Sequence, residues 1–375
     1  MTTSSRLHIN LQAIAHNYRF LDHQTGPSTQ TAAAVKANGY GLGMAAVSAA
    51  LYQAGCRLFF TAQLEEGVRL SAAFAEQGYD GAQIAVLEGF RQADLETFHA
   101  HHLTPVINSP EQAEWLAAYP VKTQSALPAI LHIDTGMNRL GFGTDSHVFL
   151  SDPLHVLHAL ELSLVMSHLA CSDDPSDSTN QAQLEQFTRL ARPFAHIPKS
   201  LCNSGGIFLP DAYHFDVTRP GIALYGAMPS PDMTDKGLRP ALRWDADIVQ
   251  IRTLEKGERA GYGGEFIAND APTRLATIAA GYADGYDRAL YQPERGIVAK
   301  VEIAGKVVPL AGRVSMDLLI ADVTSLGDSE IASASKACLI GAHYSLAEMA
   351  KDRQTISYEV LTGLGDRMMR LYDGA

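Results

Sequence analysis

The sequence predicts a TIM-type (β/α)8 barrel followed by a mostly β C-terminal domain. Three observations carry the prediction. From about residue 30 to 226, short β-rich runs alternate with amphipathic helical patterns; about eight such repeats in roughly 230 residues is the size and rhythm of that barrel. After residue 230 the rhythm stops, and alternating β runs with Gly-rich turns take over. A doubly wound sheet is the structural alternative, but the early G-x-G-x-x-G it would favour is missing.

In chain order, Arg6-Leu-His-Ile-Asn lies outside the barrel repeats and is a candidate strand of the C-terminal domain. A helix over 11–22 follows, capped by Asn10, with Leu11, Ile14, Tyr18 and Leu21 at helical spacing. The barrel strands fall at 31–35, 58–62, 83–88, 103–107, 129–134, 162–167, 199–202 and around 215–225. Helical segments between them include 184–194, where Leu184, Phe187, Leu190 and Phe194 share one face. Met228-Pro-Ser-Pro-Asp-Met-Thr-Asp-Lys-Gly reads as a linker, placing the barrel domain at 1–232 and the second at 233–375. The β runs of the second domain fall at 243–254, 274–280, 296–303, 306–311 and 317–323, with one helical patch near 345–352.

A chain of 375 residues suits two domains, or one large barrel with an appendage. Hydrophobic residues at 46% and charged residues at 19% allow a sizeable core. A net charge of −12 argues against nucleic acid or an anionic membrane as the main partner. The four cysteines, Cys56, Cys171, Cys202 and Cys338, form no C-x-x-C pair and read as buried thiols of a reducing compartment. The first residues lack the basic start and apolar core of a signal peptide, and no run reaches the length of a membrane span. The expected location is cytoplasmic.

Ligands of such barrels bind at the carboxyl ends of the strands, and the chemically informative residues collect there. Lys36 ends the first strand, Arg139 follows the fifth, and His168 ends the sixth. Asn203 and Ser204 follow the seventh, and Arg219 opens the segment near the eighth. A lone lysine at a strand end also reads as a snorkelling side chain; the convergence of these positions on one rim is the signal. Ser204, followed by two glycines, offers a hydroxyl and backbone N–H groups to a phosphate, and Gly221 permits a second close backbone approach. A ligand with a carbonyl for Lys36 and a phosphate for the far side of the mouth is pyridoxal 5′-phosphate, which binds lysine as a Schiff base.

The runs Ala34-Val-Lys-Ala-Asn-Gly-Tyr-Gly-Leu-Gly, Asp134-Thr-Gly-Met-Asn-Arg-Leu-Gly, Asn203-Ser, Arg219-Pro-Gly-Ile-Ala-Leu-Tyr-Gly, Gly261-Tyr-Gly-Gly, Gly281-Tyr-Ala-Asp-Gly, Gly312-Arg-Val-Ser-Met-Asp and Tyr358-Glu together resemble the alanine racemases in order and spacing, from residue 34 to 359. The resemblance implies an isomerase that interconverts L- and D-alanine on pyridoxal phosphate, for peptidoglycan D-alanine supply or D-alanine catabolism. It implies that Lys36 carries the cofactor, that Tyr40, Ser204, Tyr358 and the backbone of Gly221 and Ile222 hold its phosphate with Asn203 beside them, and that Arg219 faces the pyridine nitrogen. An arginine there donates only, so the ring nitrogen stays unprotonated and the ring is a weaker electron sink. His168 is implied to bridge between Arg219 and the catalytic tyrosine.

The resemblance further implies two bases on opposite faces of the substrate Cα: Lys36, and Tyr262 delivered by the second subunit of a head-to-tail homodimer. Phenols ordinarily titrate near about 10, so such a base needs neighbouring positive charge, for which the His168–Arg219 chain is the implied source. Arg139 and the backbone at Met316 would bind the substrate carboxylate. Tyr282 would narrow the entrance to favour a methyl-sized side chain, with Asp317 supporting that wall. One position departs from the pattern: many relatives carry a carbamylated lysine where this chain has His132. Either His132 hydrogen-bonds Arg139 directly, or a bound anion such as chloride replaces the carbamate charge.

Three other readings are weighed. A racemase that also accepts serine and larger residues is left open by the sequence. A decarboxylase of the same fold would place a cysteine in the C-terminal domain, and Gly312-Arg-Val-Ser-Met-Asp offers none. A pyridoxal phosphate carrier on the same barrel would lack the second domain. The histidines His99, His101 and His102 lack any carboxylate or cysteine pattern, so no metal is expected.

Overall fold

The computed structural model describes residues 4–119, 127–143, 154–230, 233, 236–270 and 272–374. The chain divides into two compact units, one built on Ile14–Pro229 and the other on the N-terminal strand together with the chain from Pro240 onward. Part of the stretch read as a linker, including the expected 232/233 boundary, lies outside the described residues.

In the first unit, seven strands form one sheet in chain order: Ala33–Ala34, Leu58–Thr61, Gln83–Val86, Leu103–Ile107, Ala129–His132, Leu162–Met166 and Lys199–Ser200. Every pairing is parallel. The eighth strand, Val217–Thr218, pairs in parallel with Gln30–Thr31, just ahead of Ala33. On its other side the Asp216 N–H donates to the Lys199 carbonyl (3.1 Å) and the Arg219 N–H to the Cys202 carbonyl (2.9 Å). The ring of strands therefore closes. Buried on both faces, its strands read as unbroken apolar runs rather than alternating ones; Leu58–Thr61 and Ala129–His132 are buried throughout.

The last strand is shorter than the sequence suggests. Pro220 has no N–H to give a ladder, and the chain turns into a 3-10 helix at Ile222–Tyr225. The helix expected over 184–194 runs Ser178–Leu190, capped by the Asp177 carboxylate, and Pro193 sits in a separate 3-10 turn, Arg192–Phe194. The first helix, Leu11–Thr25, is capped by Asn10, whose Oδ1 accepts from the Ala13 N–H at 2.8 Å.

The second unit is organised on the 13-residue strand Leu242–Leu254. Ser5–Asn10 pairs antiparallel with it and parallel with Met369–Asp373. Lys336–Ile340 and Thr273–Ile278 pair with it as well. Trp244 is buried at the centre, and its indole N–H donates to the Ser5 hydroxyl at 2.7 Å. Among the described residues no helix is long and apolar enough to cross a membrane. Three of the four cysteines are buried; Cys171 is half-buried.

Candidate active site

Lys36 leaves the first strand into a turn of the wrong hand. Ala37, Asn38 and Gly39 have φ of 51°, 54° and 64° with ψ near 45–49°, and Tyr40 follows at φ 53°. Left-handed backbone costs an L-residue roughly 1–2 kcal/mol, so the surroundings must over-determine it. The Gly39 N–H donates to the Val35 carbonyl (2.9 Å) and the Gly41 N–H to that of Ala37 (2.8 Å). The Asn38 side chain accepts from the Met44 N–H at 3.0 Å, and its own N–H donates to the Glu66 carboxylate at 3.3 Å. Burial, then the Arg139 charge, pull the Lys36 ammonium below its ordinary range, with Glu66 opposing. That favours a free amine, the form that attacks carbonyls and accepts protons.

The turn delivers Tyr40 onto the ring of Tyr225, with centroids 4.6 Å apart. A Cβ at position 221 would overlap the Tyr40 hydroxyl, which is why glycine stands there. Ser204, buried, accepts the Gly221 N–H at 2.8 Å and the Ala223 N–H at 3.3 Å. Between them the N–H of fully buried Ile222 has no hydrogen bond among the described residues. With the Gly221 and Ala223 N–H groups spent on Ser204, the Ser204 hydroxyl hydrogen and the Ile222 N–H remain as donors for an anion, with no carboxylate beside them among the described hydrogen bonds. The Asn203 side chain is spent on its own loop, accepting from Ser172 (2.7 Å) and Gly206 (3.1 Å) and donating to Leu169 (3.3 Å); it places Ser204.

Arg219 is buried, donating to the Ser200 hydroxyl and the Ser167 carbonyl, with His168 Nδ1 at 3.4 Å. Burial brings its guanidinium down to about 10, still protonated at neutral pH. A guanidinium only donates, so His168 Nδ1 is the bare nitrogen of the ring. Burial, with Arg219, Arg139, Lys36 and His132 around it, holds His168 uncharged well below its ordinary range.

His132 does not hydrogen-bond Arg139. Its Nδ1 lies 2.7 Å from Asn108 Oδ1 instead, and Arg139, exposed on the Asp134–Gly141 loop, has no hydrogen bond or ion pair among the described residues. The direct-contact expectation is corrected: Asn108, on the neighbouring strand's end, reaches the ring first.

In the second unit, Tyr262 is 70% exposed in a turn whose glycines 261, 263 and 264 all have positive φ. Tyr282, Met316 and Asp317 come together: the Tyr282 N–H donates to the Ser315 carbonyl and the Ala283 N–H to that of Met316, both at 3.0 Å. Arg367 ties Asp317 (2.8 Å) to buried Asp284 (2.7 Å). A Cβ at Gly281 would overlap the 315 and 316 carbonyls. Tyr358 lies half-buried on the helix Ser357–Thr362. Among the described residues, no group of three or more histidine, cysteine, aspartate and glutamate side chains could hold a metal.

Family models of the alanine racemase N-terminal and C-terminal domains match residues 9–229 and 241–372. The chain belongs to the alanine racemase family. It is 42% identical over 369 residues to the catabolic alanine racemase of Agrobacterium fabrum, covering 98% of this chain and 92% of that one. With an alanine racemase of Brucella suis it shares 40% over 378 residues, covering 98% and 93%. The crystal structure of alanine racemase from Bartonella henselae with covalently bound pyridoxal phosphate superposes at a TM-score of 0.90, with 36% identity and 99% and 100% coverage. The biosynthetic alanine racemase of Pseudomonas aeruginosa does so at 0.87, with 33% identity and the same coverage.

Four residues of this alanine racemase family member escaped the sequence reading: Glu66, Asn108, Ser200 and Arg367. None carried a local signal: Glu66 accepts the Gln63 N–H at the start of the helix Leu64–Gln77, but Gln63 is not a residue type that marks an N-cap.

Proposed function

We propose that the protein is a pyridoxal 5′-phosphate-dependent alanine racemase whose two bases are Lys36 and the partner subunit's Tyr262. The observation that carries the reading is the coincidence of a family match along the chain with a half-buried amine, an anion-binding donor set and a buried guanidinium on one barrel rim. The residues fit the cofactor. Lys36 suits its carbonyl, while Tyr40, the Ser204 hydroxyl, the close backbone approach at Gly221 and the Ile222 N–H, which has no hydrogen bond among the described residues, suit its phosphate.

When bound, the cofactor supplies an electron-withdrawing ring that acidifies the Cα proton of an attached amino acid. Arg219, locked by Ser200 and Ser167, would face the cofactor's ring nitrogen with a group that only donates and accepts no proton. Lys36 holds or returns the proton on one face of Cα, and the partner's Tyr262 on the other. Arg139 grips the substrate carboxylate with a fork free of other partners among the described residues. Tyr282, backed by Met316 and Asp317, restricts the side chain to about methyl size.

The exposure of Tyr262 and Met316, 70% and 53%, supports a head-to-tail homodimer in which each subunit completes the other's site. The chemistry runs both ways, so the site suits either peptidoglycan D-alanine supply or D-alanine catabolism, and the proposed location is the cytoplasm. Borohydride reduction followed by peptide mapping tests the cofactor's attachment. A reduced adduct on Lys36 is expected; no adduct, or one elsewhere, would overturn the reading.

A further inference from the structure

Glu66 is a buried carboxylate, 6% exposed, that no step above uses. Its Oε2 accepts from the Ala62 (2.9 Å) and Gln63 (3.3 Å) N–H groups at the start of the helix Leu64–Gln77. Its Oε1 reaches across to the Asn38 N–H at 3.3 Å, 28 residues back in the chain. Both oxygens are therefore committed, one to the helix end and one to the left-handed turn after Lys36.

Asn38 is the hinge of that turn. Its Oδ1 takes the Met44 N–H at 3.0 Å and its carbonyl takes the Gly43 N–H at 2.8 Å, while its own N–H goes to Glu66. Three bonds thus hold one residue in backbone space that asparagine tolerates and alanine and tyrosine resist. Relaxation of Ala37–Tyr40 to ordinary dihedrals would swing the Lys36 Cα–Cβ vector, since Lys36 is the residue from which the turn departs. The mechanism needs that vector fixed, because reacting groups must be held to within about 1 Å.

We propose that Glu66 is a positioning residue: its carboxylate clamps the left-handed turn Ala37–Tyr40 to the neighbouring helix end and so fixes where Lys36 enters the barrel mouth. Asn38 is the intermediary, and Glu66 acts through it. Glutamine offers one acceptor oxygen where glutamate offers two, so it serves either the turn or the helix end. Alanine serves neither. The kinetic consequence rests on Lys36 being a base, as proposed above; the clamp itself does not.

The test compares holoenzyme carrying Glu66→Ala and Glu66→Gln with wild type by two readouts. Hydrogen exchange across residues 36–43 is expected to quicken about tenfold in the alanine variant, the weight of one charge-assisted bond, and by less in the glutamine variant. The kcat is expected to fall by up to about 100-fold with KM held, and solvent-deuterium incorporation is expected to drop more for one enantiomer of alanine than for the other. Unchanged exchange at 36–43 in both variants would overturn the clamp. Faster exchange with kcat unchanged, or with both enantiomers slowed equally, would overturn the positioning role. Lys36→Ala run alongside separates these outcomes from failure of the functional reading, since a racemase indifferent to Lys36 would show full activity there. Glu66→Gln is near-isosteric and keeps the test open if the alanine variant does not fold.

Discussion

Asn108 Oδ1 lies 2.7 Å from His132 Nδ1, and this contact decides which nitrogen of the ring carries the proton. The Asn108 amide nitrogen donates to the Leu87 carbonyl at 3.0 Å, and a carbonyl can only accept. The amide oxygen must therefore face the histidine, and only a proton on Nδ1 completes the bond. Burial, then the Arg219 charge, push the imidazole down to about 4, with Asp134 opposing. At this position the chain places a neutral ring with a bare Nε2.

Solid-state 15N spectra of histidine-labelled protein check that tautomer, with His132→Gln to assign the ring. A protonated Nδ1 and bare Nε2 are expected at neutral pH; a charged or Nε2-protonated ring would contradict the assignment.

The same shift makes a stability prediction. A histidine held near 4 in the fold and about 6.5 unfolded binds more protons in the unfolded chain between those values. The stability it contributes is intact above about 6.5 and is lost as pH falls toward 4. His132→Gln should flatten the denaturation midpoint over that interval relative to wild type. An unaltered slope would show that His132 titrates normally.

Gly221→Ala would drive a methyl group into the Tyr40 hydroxyl. Cofactor retention on dialysis should fall, and Tyr40→Phe combined with it should recover part of the loss, because the overlapping oxygen is gone. Additive losses in the double variant would show that the two residues do not share this space.

Ser200→Ala leaves a guanidinium N–H of Arg219 without its partner inside the barrel. The expected cost is about 1–3 kcal/mol, seen as a lower denaturant midpoint at an unchanged slope.

How much of this was legible in the sequence follows from the range of the interactions. The barrel strands stood out because a parallel strand buried on both faces is a continuous apolar run, as in Leu58–Thr61. Lys36, Ser204 and Arg219 stood out because each ends a strand or follows one directly. Met369–Asp373 is mixed in character and announces no strand until Ser5–Asn10 pairs with it, whereas Lys336–Ile340 is itself a short apolar run, missed because the second domain was read for alternation. Asn108 and Arg367 reach His132 and Asp284 across 24 and 83 positions. Nothing local to either residue says which distant group it will meet.

Tyr262→Phe removes the phenol assigned to one face of the substrate. Deuterium uptake from solvent should then become unequal between alanine enantiomers; equal slowing of both would argue against two bases.

The most direct test of the central claim is the interconversion of L- and D-alanine by the purified protein beside its Lys36→Ala variant. Rapid racemisation by the first and near-complete loss in the second are expected. A Lys36→Ala protein that racemises alanine as fast as wild type would contradict that claim.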